Sequence, residues 1–245
     1  MTQLSASRLT AEQLTGRSES HLSRMNCGHS MQAEAAWAFA QLQGDAREAG
    51  FDLAIVSAFR SFERQLAIWN GKASGQRPIH DDSGSPLNIS EWSADELVHA
   101  IMRFSALPGT SRHHWGSDVD VYDQAAVSED YAVQLVPIEV AAGGVFDAMH
   151  CWLDERIVMD ESHGFFRPYA SDNGGVAVER WHLSYAPLSL GCAQQLTAAL
   201  VSECWNSCEE TLLLRKELDA QLPSIIERYL AVEESWCPAR YNADK

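Results

Sequence analysis

A chain of 245 residues with 46% hydrophobic and 21% charged residues can bury one sizeable core, and these proportions exclude disorder as the overall state. Acidic residues outnumber basic ones 34 to 18, and the net charge of -16 disfavours nucleic acid and anionic membranes as partners. A neutral or zwitterionic small substrate remains easy to accommodate.

The chain starts MTQLSASRLTAEQLTGRSESHLS, without a basic segment leading into an apolar run, and no later stretch approaches the roughly eighteen apolar residues of a membrane span. A cytoplasmic protein is the expectation, with the periplasm or cell envelope as the alternative. Residues 30–49 are rich in Ala, Glu and Gln, with Ala36, Phe39, Ala40 and Leu42 as the apolar stripe and Gly50 as the stop, which predicts a helix. FDLAIVSAF, 51–59, carries a compact apolar run that suits a buried strand, and SFERQLAIWN continues as a short helix. From Gly71 to Ser90 the sequence is loaded with Gly, Ser, Pro and Asp and has no period, so a long surface loop is expected. Ser93 and Glu96 then form a capping box for a helix with Leu97, Ile101 and Phe104 buried, ended by Pro108 and Gly109.

Residues 117–122 alternate as Ser, Asp, Val, Asp, Val, Tyr, a strand with Asp118 and Asp120 on one face. A helix is expected over about 138–157 (Ile138, Phe146, Met149, Trp152, Leu153), weakened by Gly143 and Gly144. After a loop containing GFFRPYASDNGG, VAVERWHLSY reads as a second strand, and from Gly191 onward two helices broken near Pro223 are expected. Cys27, Cys151, Cys192, Cys204, Cys208 and Cys237 include no CxxC and read as reduced thiols, mostly packing.

SRHHWGSDVD, 111–120, places two histidines and two aspartates around Gly116, and ERWH, 179–182, adds a carboxylate and a further imidazole. No HExxH occurs, so the common helical zinc motif is absent. A hydrolytic zinc site needs a few rigid ligands, an open coordination position and a carboxylate to move a proton, and these two pieces together hold that inventory. Taken singly, His113 is an ordinary buried or surface histidine, Arg60 a structural ion-pair partner and Glu179 a solvated mate for Arg180. His114 and Asp123 read as bystanders, Trp115 and Trp181 as packing, and His21, His29, His80, His99, His150 and His163 as histidines without a role in the chemistry.

In order, SRHHWGSDVD fits SxHxxGxxxD, ERWH fits ExWH, and SAFRSFERQ, 57–65, fits SGYRSxxxQ with Ala and Phe in its second and third places. The sequence thereby resembles, over about 52–187, the zinc metallopeptidases that include the VanY-type D-alanyl-D-alanine carboxypeptidases. The resemblance implies that His113, Asp120 and His182 bind Zn2+ and that Glu179 is the catalytic base. It implies that Arg60 stabilises the substrate and transition state, and that Gln65 and Ser111 bind substrate. Asp118, where a small residue is common in the family, would orient a ligand imidazole.

The implied fold is α+β: a small, mainly antiparallel sheet carrying the zinc site, flanked by helices, with a C-terminal helical extension. A single metallopeptidase domain over 1–245 is expected, its core at about 30–190 and its C-terminal helices at 191–240. The implied activity is hydrolysis of the terminal D-Ala-D-Ala bond of peptidoglycan stem peptides. The alternatives are an L,D-carboxypeptidase, an endopeptidase with the same zinc chemistry, and a noncatalytic peptide- or cell-wall-binding module. The expected partner is a peptidoglycan-derived peptide, with no nucleic acid and no membrane span.

Overall fold

The computed structural model describes residues 9–233 and 236–241. Residues 1–8, at the start on which the cytoplasmic expectation rests, and 234–235 and 242–245, within the expected 1–245 domain, lie outside the described residues. A single-turn helix α1 (Ala11–Leu14) and a hairpin of β1 (Ser23–Arg24) and β2 (Ser30–Met31) lead into α2 (Ala33–Glu48). Then come β3 (Leu53–Ser57), α3 (Phe62–Ala73), α4 (Ala94–Arg103), a 3-10 turn Arg112–Trp115 and β4 (Asp118–Asp123). Two helices, α5 (Pro137–Val140) and α6 (Asp147–Val158), precede β5 (Phe165–Phe166) and β6 (His182–Tyr185). The chain ends through α7 (Ala186–Ser189), α8 (Cys192–Gln195), α9 (Ala198–Asn206) and α10 (Arg215–Leu230).

The main sheet has the order β3-β4-β6-β5, every neighbouring pair antiparallel, so the fold is α+β as expected. Strand alternation divides the sheet's two faces. Val119, Val121 and Leu183 pack with Phe39 and Leu42 of α2 and Met149 and Leu153 of α6, whereas Asp118, Asp120 and His182 carry the polar face. Both faces are buried, so the polar one is enclosed by protein and not by solvent. A second cluster joins Leu66 and Trp69 of α3, Val98 and Ile101 of α4, Val201 and Trp205 of α9, and Leu222 and Ile225 of α10. The C-terminal helices therefore share a core with α3 and α4. No helix among the described residues is long and apolar enough to cross a membrane.

Several expected elements differ in detail. The buried stripe of α2 is Ala35, Ala38, Phe39, Leu42 and Ala46, and Ala40 faces out, because positions spaced by three and four residues from Ala35 form one face of the helix and position 40 lies off it. The capping box of Ser93 and Glu96 is present, but α4 buries Val98, Ile101 and Met102 while Leu97 and Phe104 are half-buried. The single helix over 138–157 is two, because Gly143 takes a left-handed φ of +80° between them. The long loop begins after Ala73 and is pinned inside by a bridge between His80 and Pro86. Pro223 does not break α10. The buried stripe Leu218, Leu222, Ile225 and Tyr229 runs straight through it, and burying four large side chains outweighs the roughly 3 kcal/mol cost of an interior proline. The break falls instead between α9 and α10, and α8 is an additional short helix.

Gly116 closes the 3-10 turn in the left-handed region at φ +68°, and a Cβ there would meet Leu22 Cδ2 at 2.2 Å. This residue turns the chain from His113 into β4. Gly116→Ala is expected to lower stability by about 1–2 kcal/mol or more, read as a lower urea midpoint with an unchanged slope.

Candidate metal centre

Three elements converge on one buried point. Asp120 lies directly across from His182 in the β4–β6 pairing, so cross-strand neighbours become a contact pair, with Asp120 Oδ1 3.0 Å from His182 Nδ1. His113 arrives from the 3-10 turn, its Nε2 3.2 Å from Asp120 Oδ2. One ligand atom from each of His113, Asp120 and His182 can be chosen so that all lie within 4.8 Å of one another. The residues are 5%, 3% and 3% exposed, a degree of burial that surface acidic clusters do not reach.

The far side of each imidazole is anchored, which fixes the nitrogen turned inward. His113 Nδ1 donates to the Ala58 carbonyl at 2.8 Å, leaving Nε2 for the centre. His182 Nε2 donates to Asp118 Oδ1 at 3.1 Å, leaving Nδ1. Asp118 is in turn held by Arg112 Nε at 2.8 Å and by the Ser117 hydroxyl at 2.6 Å, so it orients a ligand imidazole as its position on β4 implies. Burial works against both carboxylates. Nevertheless Arg112 holds the Asp118 carboxyl, and the two imidazoles hold that of Asp120, well below the usual range. Burial also opposes charge on His182, but hydrogen bonds to Asp118 and Asp120 push its imidazole up to about 9. A site that draws a proton between two carboxylates is one that favours a cation. Two imidazoles and one carboxylate are a donor set that fits Zn2+ and leaves it a net positive charge.

Glu179 sits beside this cluster, Oε2 3.8 Å from His182 Nδ1. The expected strand over 176–185 is shorter than predicted: β6 begins at His182, and a turn in which His182 N donates to the Glu179 carbonyl at 3.1 Å precedes it. The correction matters. In a strand, residues three apart point to opposite faces, whereas the turn brings Glu179 and His182 together. Arg180 turns away to Asp147 and Asp154, at 2.8 and 2.7 Å, so the neighbouring ion pair does not form. Burial pushes the Glu179 carboxyl up to about 7, against the pull of His182 and Arg60.

Arg60 reaches the same cavity, Nη2 4.0 Å from Asp120 Oδ2, with Nη1 donating to Gln65 Oε1 at 3.0 Å and Nη2 to Ser57 Oγ at 3.2 Å. Gln65 differs from its expected role of touching substrate. It is fully buried and its amide donates to Ser105 and the Ala106 carbonyl, so it serves the site by holding Arg60. Ser111, at the head of the 3-10 turn, lines the cleft.

Other residues belong to the site without having been singled out. Arg112 stands next to His113 in sequence, but its link to Asp118 and Ser184 exists only once the turn and two strands meet. His114 is not the bystander it seems: fully buried, it donates from Nδ1 to the Arg60 carbonyl at 2.6 Å and accepts from Gly109 N at 3.1 Å, tying three loops together. Burial holds its imidazole down at about 3, consistent with a neutral strut. Tyr169 from the GFFRPY loop sets its ring 5.2 Å from that of His182. Trp115 and Trp181 are buried in the cleft wall, and Asp123 caps the strand end by accepting from Asp52 N and Ala125 N. Of the remaining histidines, His80 lines the cleft, while His163 pairs with Asp45 elsewhere.

An antiparallel sheet presenting a buried His, Asp, His cluster with a further carboxylate beside it has the parts of a metal-dependent hydrolase, and the family match makes the class a metallopeptidase. A family model described as D-alanyl-D-alanine carboxypeptidase, VanY, matches residues 28–188, and the chain belongs to that family. Among curated proteins it is 43% identical over 104 residues to an uncharacterized protein of Haemophilus influenzae, covering 41% of this chain and 71% of that one. It is 30% identical over 126 residues to a second uncharacterized protein of the same organism, covering 51% and 92%. Among solved structures it is similar to VanYB in complex with D-alanine-D-alanine, at 21% identity and TM-score 0.48, covering 77% of this chain and 89% of that one. It is also similar to the LdcB LD-carboxypeptidase, at 20% identity and TM-score 0.45, covering 84% and 72%.

Asp118→Asn keeps the shape of the side chain but removes the anion that fixes His182. Zinc affinity is expected to fall about 10- to 100-fold in competition titrations against a chromophoric chelator, with the circular dichroism spectrum unchanged.

Proposed function

We propose that the protein is a zinc-dependent D,D-carboxypeptidase that hydrolyses the terminal D-Ala-D-Ala bond of peptidoglycan stem peptides. The observation that carries this reading is Glu179, a half-buried carboxylate with no Arg or Lys in ion-pair distance, held beside three convergent ligand atoms. A binding module has no need of such a group, since withdrawing a carboxylate from water without a lysine or arginine partner is costly. Membership of the D-alanyl-D-alanine carboxypeptidase family supports the substrate.

His113, Asp120 and His182 would hold the zinc ion. When bound, zinc supplies Lewis acidity and lowers the pKa of water toward neutrality. Glu179 takes a proton from the water whose oxygen adds to the carbonyl carbon, and returns it to the nitrogen as the C–N bond breaks and the amine leaves. Burial raises the proton affinity of this carboxyl above that of an exposed one, which favours its taking up the proton it then hands on. Arg60, fixed by Gln65 and Ser57, directs positive charge at the oxygen that becomes negative in the tetrahedral intermediate. Arg112 and Asp118 move no proton in the reaction. They keep His182 from turning.

Glu179→Ala is expected to retain zinc at one equivalent while losing about 100-fold or more of turnover, measured by metal analysis and by chromatography of products from pentapeptide, tetrapeptide and cross-linked muropeptides. Wild-type protein should release one D-Ala from the pentapeptide and lose that activity when zinc is chelated. Full activity without Glu179 or without metal would sink the mechanism. Release from the tetrapeptide or the cross-link instead would reassign the substrate.

A further inference from the structure

The cleft that holds the metal cluster has a volume of about 430 Å³, and its lining extends to Lys72 and Arg77, to which the proposed chemistry gives no part. Both are cations lining the cavity of a chain whose acidic residues outnumber its basic ones 34 to 18. The other arginines of the cleft are engaged: Arg60 by Gln65, Ser57 and Asp120, and Arg112 by Asp118 and Ser184. Arg103, on neighbouring α4, grips Asp82 and Asp172 at 2.7 and 2.6 Å. Among the described residues, the Lys72 ammonium and the Arg77 guanidinium form no hydrogen bond and no ion pair. Asp81, in the same lining, forms no ion pair with either, and its Oδ1 accepts from Ser83 N, Ser83 Oγ and Ser85 N.

The two cations are placed by the fold. Lys72 lies in the last turn of α3, half-buried, and burial pushes its ammonium down to about 8 despite the attraction of Glu179. Arg77 returns over the same helix: its backbone N donates to the Gly71 carbonyl at 2.8 Å. A Cβ on Gly71 would lie 2.8 Å from Arg77 Cδ, so the glycine provides the bed in which the arginine stem rests. Keeping a half-buried ammonium without a partner lowers stability, and its charge is near enough to Arg60 and Glu179 to act on both.

We propose that Lys72 and Arg77 form a carboxylate-binding subsite of the cleft, separate from Arg60 and from the metal cluster, that reads a carboxylate carried by the peptide substrate. The inference rests on the peptidase reading above. Arg60 has its donors turned to the reaction centre, while Lys72 and Arg77 offer unused donors elsewhere in the same cleft, and an ammonium beside a guanidinium suits a carboxylate. Two sources share that chemistry: the free C-terminus beyond the scissile bond, and an acidic residue before it.

The test measures binding to the zinc-loaded Glu179→Gln protein by calorimetry, with and without Lys72→Met, using two peptide pairs. One pair differs only in a C-terminal acid or amide, the other only in an upstream Glu or Gln. Lys72→Met is expected to weaken one acid-bearing peptide about 10-fold or more and its amide partner by less than about twofold, and the affected pair names the source. Arg77→Met should show the same selectivity. The melting temperature of Lys72→Met should equal or exceed that of its parent, since an unpaired half-buried charge is removed. Equal losses for acid and amide, no loss, no binding of any acid-bearing peptide, or a clear fall in melting temperature overturns the subsite. Wild-type hydrolysis that is indifferent to Lys72 sinks the subsite and leaves the peptidase reading standing. Acid-selective binding through Lys72 without hydrolysis of any peptide does the reverse.

Discussion

Gathering three carboxylates, two of them fully enclosed, around one small volume is the constraint on which the rest of this structure depends. Asp118, Asp120 and Glu179 cannot all be ionised there without compensation, because desolvation penalises each and they repel one another. The fold answers each carboxylate differently. Asp118 has Arg112 and the hydroxyl of Ser117, Asp120 has two imidazoles, and Glu179 has His182 at 3.8 Å but no lysine or arginine within ion-pair distance. That unequal treatment separates an orienting group, a ligand and a proton carrier made from nearly the same chemistry.

The scaffold follows from the need to keep these groups in register. An antiparallel pairing places Asp120 opposite His182, and the two-residue period then puts Asp118 within reach of the other nitrogen of the same ring. The segment carrying Arg60 is lashed to the segment carrying the histidines by three bonds. His113 donates to the Ala58 carbonyl, Arg60 N to the His113 carbonyl, and His114 to the Arg60 carbonyl. A displacement of either segment would thus move the guanidinium and a metal ligand together. On the reverse face, the apolar residues of β4 and β6 pack on α2 and α6, and this ordinary core holds the polar face still.

Charge is distributed with similar economy. The surface is strongly acidic, yet the cleft gathers Arg60, Lys72, Arg77 and Arg112. Arginines farther out, such as Arg103 and Arg180, are consumed in ion pairs that pin loops and helices. The long loop after α3, the loop before α5 and the end of α10 all contribute to the cleft lining, so the C-terminal helices help shape the substrate's surroundings.

Much of the site was legible in the sequence, because the motifs encode contacts over short spans. The alternation of Asp118, Val119, Asp120 and Val121 determines which residues share a face of any strand formed there, and Gly116 permits the turn beside it. The capping box at Ser93 and Glu96 acts within four residues, and for that reason it could be read correctly. Other outcomes depended on partners distant in the chain. That Gln65 supports Arg60 and does not face the cleft, that His114 is a strut, and that Arg112 restrains Asp118 were settled only when loops and strands met. Pro223 remained inside a helix because a buried stripe on α10 found its complement on α3, α4 and α9. The sequence by itself determined the chemical inventory and the local periods that face it inward. The tertiary structure alone decided which charges would go unpaired, since pairing is a matter of distance between segments that no local pattern records.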